Sequence, residues 1–260
     1  MHLVALRIAA AFCALTWLVF PGFGLIDLSV TWDSDWPVVL EASWGVFMTV
    51  LVGGSFLAVA VRPRRTAAAQ VILLVSLATW LAAAAAGLEW QLLGYVGVLL
   101  LEAGALFALL PVRERLRPVA WSVSPSMLVV AALGVVPWLW HALDVFGWNR
   151  RNAGVVIGDV TNGVDHYAVQ GALALALVTL SLLAACWPRG RRHLGVVTGV
   201  CAAYLGVVSY AFPGTWAGLS PLWSGLAIAW ALAVAVLSVM GSRSEAGEFG
   251  GEVVEAERTL

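Results

Sequence analysis

The sequence contains no lysine, because all fourteen of its basic residues are arginine. Charged residues make up only 11% of the chain, whereas a typical soluble domain has about 25%. The absence of lysine excludes chemistry that depends on a lysine amine, such as a Schiff base. Combined with the frequent use of Ala, Val, Leu and Gly, it favours an origin in a GC-rich bacterial genome.

Recognisable catalytic motifs are also missing. The sequence has no Walker A loop, no G-x-S-x-G and no H-E-x-x-H. Its three cysteines, Cys13, Cys186 and Cys201, fall in apolar segments without metal-ligand spacing. With a net charge of −1, nothing favours nucleic acid as a partner. We therefore predict a protein that binds no cofactor and no metal, and the missing motifs favour a non-enzymatic function.

Hydrophobic residues, in contrast, make up 62% of the 260 residues and occur in long blocks. Blocks of about 20 residues match the hydrocarbon thickness of a bilayer at 1.5 Å per residue. The sequence predicts an all-α integral membrane protein with a bundle of about eight transmembrane helices. This bundle forms one polytopic domain over 1–240, and 241–260 is predicted to be a flexible acidic cytoplasmic tail. The eight apolar segments are 3–25, 38–61, 67–87, 90–112, 119–143, 166–187, 194–212 and 221–240.

The first apolar segment has two interpretations. It continues to Phe20, and no A-x-A cleavage pattern precedes Pro21. We expect a retained first helix, since a signal peptide would normally end in small residues. Cleavage would leave seven helices and an N-terminus on the outer side.

The arginines predict the orientation. Ten of them fall on one set of alternating loops or after the last helix, and only two fall on the other set. The positive-inside rule places the arginine-rich side, and both termini, in the cytoplasm of a bacterial plasma membrane. The ten are Arg62, Arg64, Arg65, Arg113, Arg115, Arg117, Arg189, Arg191, Arg192 and Arg243; the two are Arg150 and Arg151.

Tryptophan has the opposite bias. Ten Trp residues map to the outer half and two to the inner boundary. Interfacial belts populate both surfaces, so a belt alone does not explain this asymmetry. The outer residues are Trp32, Trp36, Trp44, Trp80, Trp90, Trp138, Trp140, Trp148, Trp216 and Trp223; the inner ones are Trp121 and Trp187.

Polar residues gather near the same outer level. His141 and Asp144 are three residues apart and share a helix face, as when a carboxylate orients a histidine. His166 opens the next helix at the same level. Three interpretations are open: a ligand pocket covered by loops 27–37 and 144–165, a metal or haem site using His141 and His166, and a structural polar cap. The predicted ligand-binding residues are Glu41, Trp44, Trp140, His141, Asp144, Arg150, Asp165, His166 and Gln170.

Glu102 lies near the middle of the fourth apolar segment. An ionisable group at this depth is costly and often functional. It predicts either a proton-coupling carboxylate or a neutral side chain that is hydrogen-bonded to a neighbouring helix.

Gly195 and Gly199 form a G-x-x-x-G pattern in the seventh segment. Small residues let helices approach closely, either within the chain or between two copies. Packing within the chain is the simpler interpretation, and self-association is the alternative.

These patterns lead to one functional hypothesis and two alternatives. The main hypothesis is a multi-pass plasma-membrane protein that binds a small molecule at its outer face, with the lipid bilayer as its other partner. The alternatives are a proton-coupled secondary transporter using Glu102, and a haem or metal oxidoreductase using His141 and His166.

Overall fold

A computed structural model of the chain describes the backbone of residues 2–33, 35–110, 121–153 and 160–258, and the side chains among these from Leu3 to Gly241. The predicted cytoplasmic arginines Arg113, Arg115 and Arg117 lie outside the described residues. The side chains of the predicted tail also lie outside them, so the flexible tail stays a prediction.

Ten α-helices, one π-helical segment and one two-stranded hairpin form the described part of the chain. The helices are α1 (His2–Leu18), α2 (Gly24–Val30), α3 (Val38–Val46), α4 (Gly54–Val61), α5 (Ala67–Gly87), α6 (Leu92–Leu109), α7 (Pro125–Arg151), α8 (His166–Cys186), α9 (Pro188–Ala211) and α10 (Pro221–Arg258). The π-helical segment Phe47–Gly53 joins α3 to α4, and the strands are β1 (Val160–Thr161) and β2 (Val164–Asp165).

Among the described residues, seven continuous helical stretches are long and apolar enough to cross a membrane. The prediction of a multi-pass helical membrane protein is confirmed at this level. The stretches are Val38–Val61, Ala67–Gly87, Leu92–Leu109, Pro125–Arg151, His166–Cys186, Pro188–Ala211 and Pro221–Gly241. The first predicted span is a shorter apolar helix, Leu3–Leu18, which packs against α4 and α6.

Several helix boundaries differ from the predicted ones, and two of these differences affect the Trp-rich end. The first segment ends at Leu18, and the chain then turns through Pro21 into the separate helix α2. Helix α7 continues to Arg151, so Arg150 and Arg151 form its last turn and do not belong to a loop. Prolines explain several helix starts, since Pro125 and Pro188 occupy first-turn positions where the missing N–H costs nothing.

The two ends of the bundle differ in composition. The Trp-rich end carries residues 19–33, 88–91, 160–165 and 212–220, and the Arg-rich end carries residues 62–66 and 187–193. At the Trp-rich end, the β1–β2 hairpin turns through Asn162 and Gly163, both with positive φ. Asn-Gly is the preferred pair for such a tight turn. The hairpin leads directly into α8.

Helix α8 occupies the centre of the bundle. It contacts α3, α5, α7, α9 and α10, and 72% of its membrane-spanning window is buried. Its start is fixed by Asp165, whose carboxylate accepts a hydrogen bond from the backbone N–H of Tyr167 at 3.0 Å. This is an ordinary N-cap contact.

Glycines bring α9 close to α10. A Cβ at Gly195 would lie 2.3 Å from Ser238 Cβ, and a Cβ at Gly199 would lie 2.8 Å from the Ala231 carbonyl oxygen. The G-x-x-x-G face is therefore covered by a helix of the same chain. Self-association through Gly195 and Gly199 stays a prediction.

Candidate functional site

The predicted polar residues at the Trp-rich end fall into two groups. The first lines a cleft of about 350 Å³ between α7, α8 and the segment 212–220. The second lies deeper, where α3 meets the start of α8. The cleft is lined by His141, Asp144, Val145, Trp148, Tyr167, Trp216, Ala217 and Gly218.

Gln170 fixes the hydrogen-bonding role of His141. Its side-chain nitrogen Nε2 lies 2.8 Å from the Ala217 carbonyl oxygen and 3.0 Å from His141 Nε2. A carbonyl oxygen only accepts, so a flipped amide would place two acceptors against each other. The amide therefore donates to both partners, and His141 Nε2 is an acceptor. The proton of a neutral His141 ring then resides on Nδ1, which leaves Nδ1–H as a donor.

Aromatic rings form the walls of this cleft. The Trp148 and Tyr167 rings are stacked with centroids 6.4 Å apart and an interplanar angle of 13°. The guanidinium of Arg151 lies 5.3 Å from the centroid of the Trp148 ring, a cation–π distance. Trp216 is 61% exposed, and no described ring stacks on it. Its face is available to a ligand.

Glu41 and His166 form the second group. Both are buried, at 1% and 0% exposure, and Glu41 Oε1 lies 3.9 Å from His166 Nδ1. Neither carboxylate oxygen of Glu41, nor His166 Nδ1, has a hydrogen-bond partner among the described residues. Buried polar atoms without partners are rare and point to a strained or functional position.

The other ring nitrogen and the ring face of His166 have close contacts that fix the orientation of the imidazole. Its Nε2 lies 2.9 Å from Thr161 Oγ1 in β1. The Trp44 ring stacks on the imidazole, with centroids 4.4 Å apart and an interplanar angle of 23°. Trp44 in turn donates to the Gly22 carbonyl oxygen at 2.8 Å. The orientation of His166 is thus set by α3, the hairpin and the turn after α1.

Tyr95 and Asn162 cover the Trp44–His166 stack at the Trp-rich end of the bundle. Asn162 donates to the Pro21 carbonyl oxygen at 3.1 Å and to Tyr95 Oη at 2.8 Å. The Tyr95 ring meets the Trp44 ring edge-on at 5.4 Å. The hairpin is therefore tied both to the α1–α2 turn and to α6.

Glu102 lies apart from both groups, on the face of α6 that meets α1. Oε1 is 2.8 Å from Thr16 Oγ1, and Oε2 accepts a hydrogen bond from Trp17 Nε1. Thr16 Oγ1 also lies 2.6 Å from the Cys13 carbonyl oxygen. A hydroxyl has one proton, so Thr16 cannot donate to Glu102 and to Cys13 at once.

Glu89 lies in the short turn between α5 and α6. Asn149 Nδ2 donates to Glu89 Oε2 at 3.3 Å and to the Gly87 carbonyl oxygen at 3.1 Å. Burial raises the pKa of Glu89 above its usual value; the Asn149 hydrogen bond opposes this and the charge of Asp165 adds to it. This contact joins the α5–α6 turn to α7.

The remaining predicted residues have other neighbours. Arg150 donates to the Ala86 carbonyl oxygen at 2.7 Å, and Asp165 caps α8. Trp140 is 75% exposed and is not part of the cleft lining. Trp148, Tyr167 and Trp216 were missing from the predicted site, although each is an aromatic residue close in sequence to a predicted loop or histidine.

The two histidines predicted as metal or haem ligands belong to different groups. His141 contacts Gln170, and His166 contacts Thr161 and Glu41. Within the described parts of the chain, no three His, Cys, Asp or Glu side chains come together as a metal-binding group. The metal or haem alternative stays a prediction.

No family model matches this sequence, and neither a curated protein nor a solved structure matches it.

Proposed function

We propose that this chain is a bacterial plasma-membrane protein with eight transmembrane helices and cytoplasmic termini, and that it binds a small organic cation in the cleft at its outer face. The observation that carries the proposal is the cleft itself, which combines the Asp144 carboxylate with the rings of Trp148, Tyr167 and Trp216.

Several features support an eighth span and this orientation. Helix α1 is about 25 Å long at 1.5 Å per residue, slightly short of a hydrocarbon core of about 30 Å. Its apolar residues Val4, Ile8 and Phe12 are exposed along one face, as expected of a lipid-facing stripe. The arginine distribution then puts the Trp-rich end outside.

Charge and ring chemistry favour a cation. Aromatic faces attract organic cations, most strongly where water is partly excluded. Because Arg151 already places a guanidinium over Trp148, the exposed ring of Trp216 is the one that offers its face to a cationic ligand. Acidic residues also outnumber the two arginines on the predicted outer side, which attracts cations to the cleft.

The other functional hypotheses have weaker support. Proton-coupled transport through Glu102 stays a prediction, and the described contacts of Glu102 favour a role in docking α1 onto α6. In the cleft, the Trp216 ring is 61% exposed and no described ring stacks on it, so it is open to a ligand.

A pair of probes of similar size but opposite charge tests the proposal. We expect phenylethylammonium, added to right-side-out vesicles, to bind and to change tryptophan fluorescence, while phenylacetate of similar size does not. Asp144→Asn should weaken this binding by roughly tenfold, which corresponds to about 1.4 kcal/mol. Asp35→Asn is the control, because it removes an exposed acid outside the cleft lining.

Equal binding of both probes, or equal losses in the two variants, would contradict a cation-selective cleft. Binding only when the probe reaches the vesicle interior would instead contradict the orientation and leave the cleft chemistry intact.

A further inference from the structure

The Glu41–His166 group has a chemical property that the cleft does not share. Three buried acceptor or donor positions, the two oxygens of Glu41 and Nδ1 of His166, have no hydrogen-bond partner among the described residues. No described arginine pairs with Glu41; its one described charge partner is His166 at 3.9 Å. Any charge on Glu41 must therefore be compensated by His166.

Proton counting limits the states of this pair. An ionised Glu41 beside a neutral His166 has a net charge of −1 in a site with almost no solvent exposure. An uncompensated buried ion costs several kcal/mol. One added proton gives a net charge of zero, either as carboxylate with imidazolium or as carboxylic acid with neutral imidazole.

We infer that Glu41 and His166 form a buried proton-binding site that holds one additional proton between them at neutral pH. This inference does not depend on the ligand of the cleft. The two side chains come from different helices, α3 and α8, so the site also links the two elements electrostatically.

Thr161 gives the site a route to the outside. Its side chain is half-buried in β1, and its hydroxyl lies 2.9 Å from His166 Nε2. A hydroxyl both accepts and donates, so it can pass a proton between the ring and the outer solution. On another side of His166 lie the Trp44 ring and, behind it, the Tyr95 ring. These aromatic faces are less polar than the Thr161 hydroxyl and are therefore a poorer route for a proton.

Other ionisable side chains at this level do not change the count. Asp165 accepts from the backbone of Tyr167, and Tyr95 is engaged by Asn162. His141 lies at the cleft, bound to Gln170. Asp27 of α2 is buried near Tyr95.

Magnetic resonance of the intact protein tests the inference. The full chain, with ¹⁵N-labelled histidine and ¹³C-labelled glutamate carboxyls, is measured in lipid nanodiscs at neutral pH. His166→Gln and Glu41→Gln serve only to assign the two signals. We expect either an imidazolium signal with a carboxylate signal, or a neutral imidazole signal with a carboxylic acid signal.

A neutral imidazole together with an ionised Glu41 would overturn the inference, because the pair then holds no additional proton. Thr161→Val, which keeps the branched shape but removes the hydroxyl, tests the route. It should slow the exchange of the His166 ring proton with water several-fold. Unchanged exchange would show that the proton does not pass through Thr161.

Discussion

The membrane-spanning stretches of α8, His166–Cys186, and of α10, Pro221–Gly241, have the same mean hydropathy of 2.1, but they occupy opposite environments. In α8, 72% of the membrane-spanning window is buried in protein, and in α10 only 28% is buried. The difference lies in what accompanies the apolar residues. Helix α8 carries His166, Gln170 and Ser181 in buried positions. In the described part of α10 the buried polar residues are two serines, Ser224 and Ser238, and Leu222, Leu232 and Met240 are exposed.

The comparison shows that hydropathy identifies a membrane helix without identifying its neighbours. Lipid tails are as apolar as leucine, so the hydrophobic effect does not favour other helices over lipid as neighbours of an apolar helix. Polar side chains find no hydrogen-bond partners in lipid tails, so a helix that carries several large polar side chains is expected at the centre of the bundle.

The largest expected effect concerns the Arg-rich end of α8. Arg191 is 2% exposed and donates to the carbonyl oxygens of Ala184, Ala185 and Ser122 at 3.1–3.4 Å. Arg191→Met should lower the free energy of unfolding by about 2–3 kcal/mol, because three hydrogen bonds from a charged donor are lost and the carbonyl oxygen of the buried Ala184 loses its guanidinium donor. Equilibrium unfolding in mild detergent measures this change.

Arg192→Met is the matched control for that change. Arg192 is exposed, and its loss removes the same charge from the same end of the bundle. We expect a change of less than about 0.5 kcal/mol. Similar losses in both variants would mean that charge distribution, and not the fixing of the α8 end, determines stability.

A smaller effect is expected from glycine substitutions in the two helices. A Cβ at Gly171 of α8 would lie 2.2 Å from Cε1 of the buried Phe146 ring. Gly171→Ala should therefore destabilise the fold by about 1–3 kcal/mol. At Gly225 of α10 a Cβ meets nothing within 4 Å.

Gly225→Ala should accordingly be neutral or stabilising by up to about 1 kcal/mol, through helix propensity. Thermal unfolding of the two alanine variants side by side makes the comparison. If Gly225→Ala were the more harmful change, α10 would have a packing partner that the described chain does not provide.

The smallest expected effect concerns pH. The folded-state pKa of Glu89 is raised by burial, above an unfolded value of about 4.3. Its contribution to stability is therefore complete below the unfolded pKa and is lost as pH rises through the folded pKa. The unfolding temperature of the wild type should therefore fall as pH rises from the unfolded pKa through the folded pKa of Glu89, and Glu89→Gln should reduce this fall.

Asp35→Asn provides the reference for this pH series, since Asp35 is exposed. An identical pH profile in the wild type and Glu89→Gln would show that Glu89 is equally solvated in both states.

The sequence predicted the membrane-spanning segments well, because about 20 apolar residues in a row have few alternatives. It also placed Glu41, His141 and His166 at one end of the bundle. It did not separate them into a cleft and a buried pair, since that depends on which faces of α3, α7 and α8 meet. The extension of α7 to Arg151 was also missed, because polar residues such as Asn149 read as a loop until their partners in the α5–α6 turn are known.

The contact of Glu102 with Thr16 and Trp17 has a consequence for biogenesis. Helix α1 precedes α6 in the chain, so the Thr16 hydroxyl and the Trp17 indole are synthesised before the Glu102 carboxyl group that they contact. Glu102 then finds hydrogen-bonding partners in place of lipid. We therefore expect α6 to depend on α1 for stable assembly, because without α1 the carboxyl group of Glu102 would lose both of these partners.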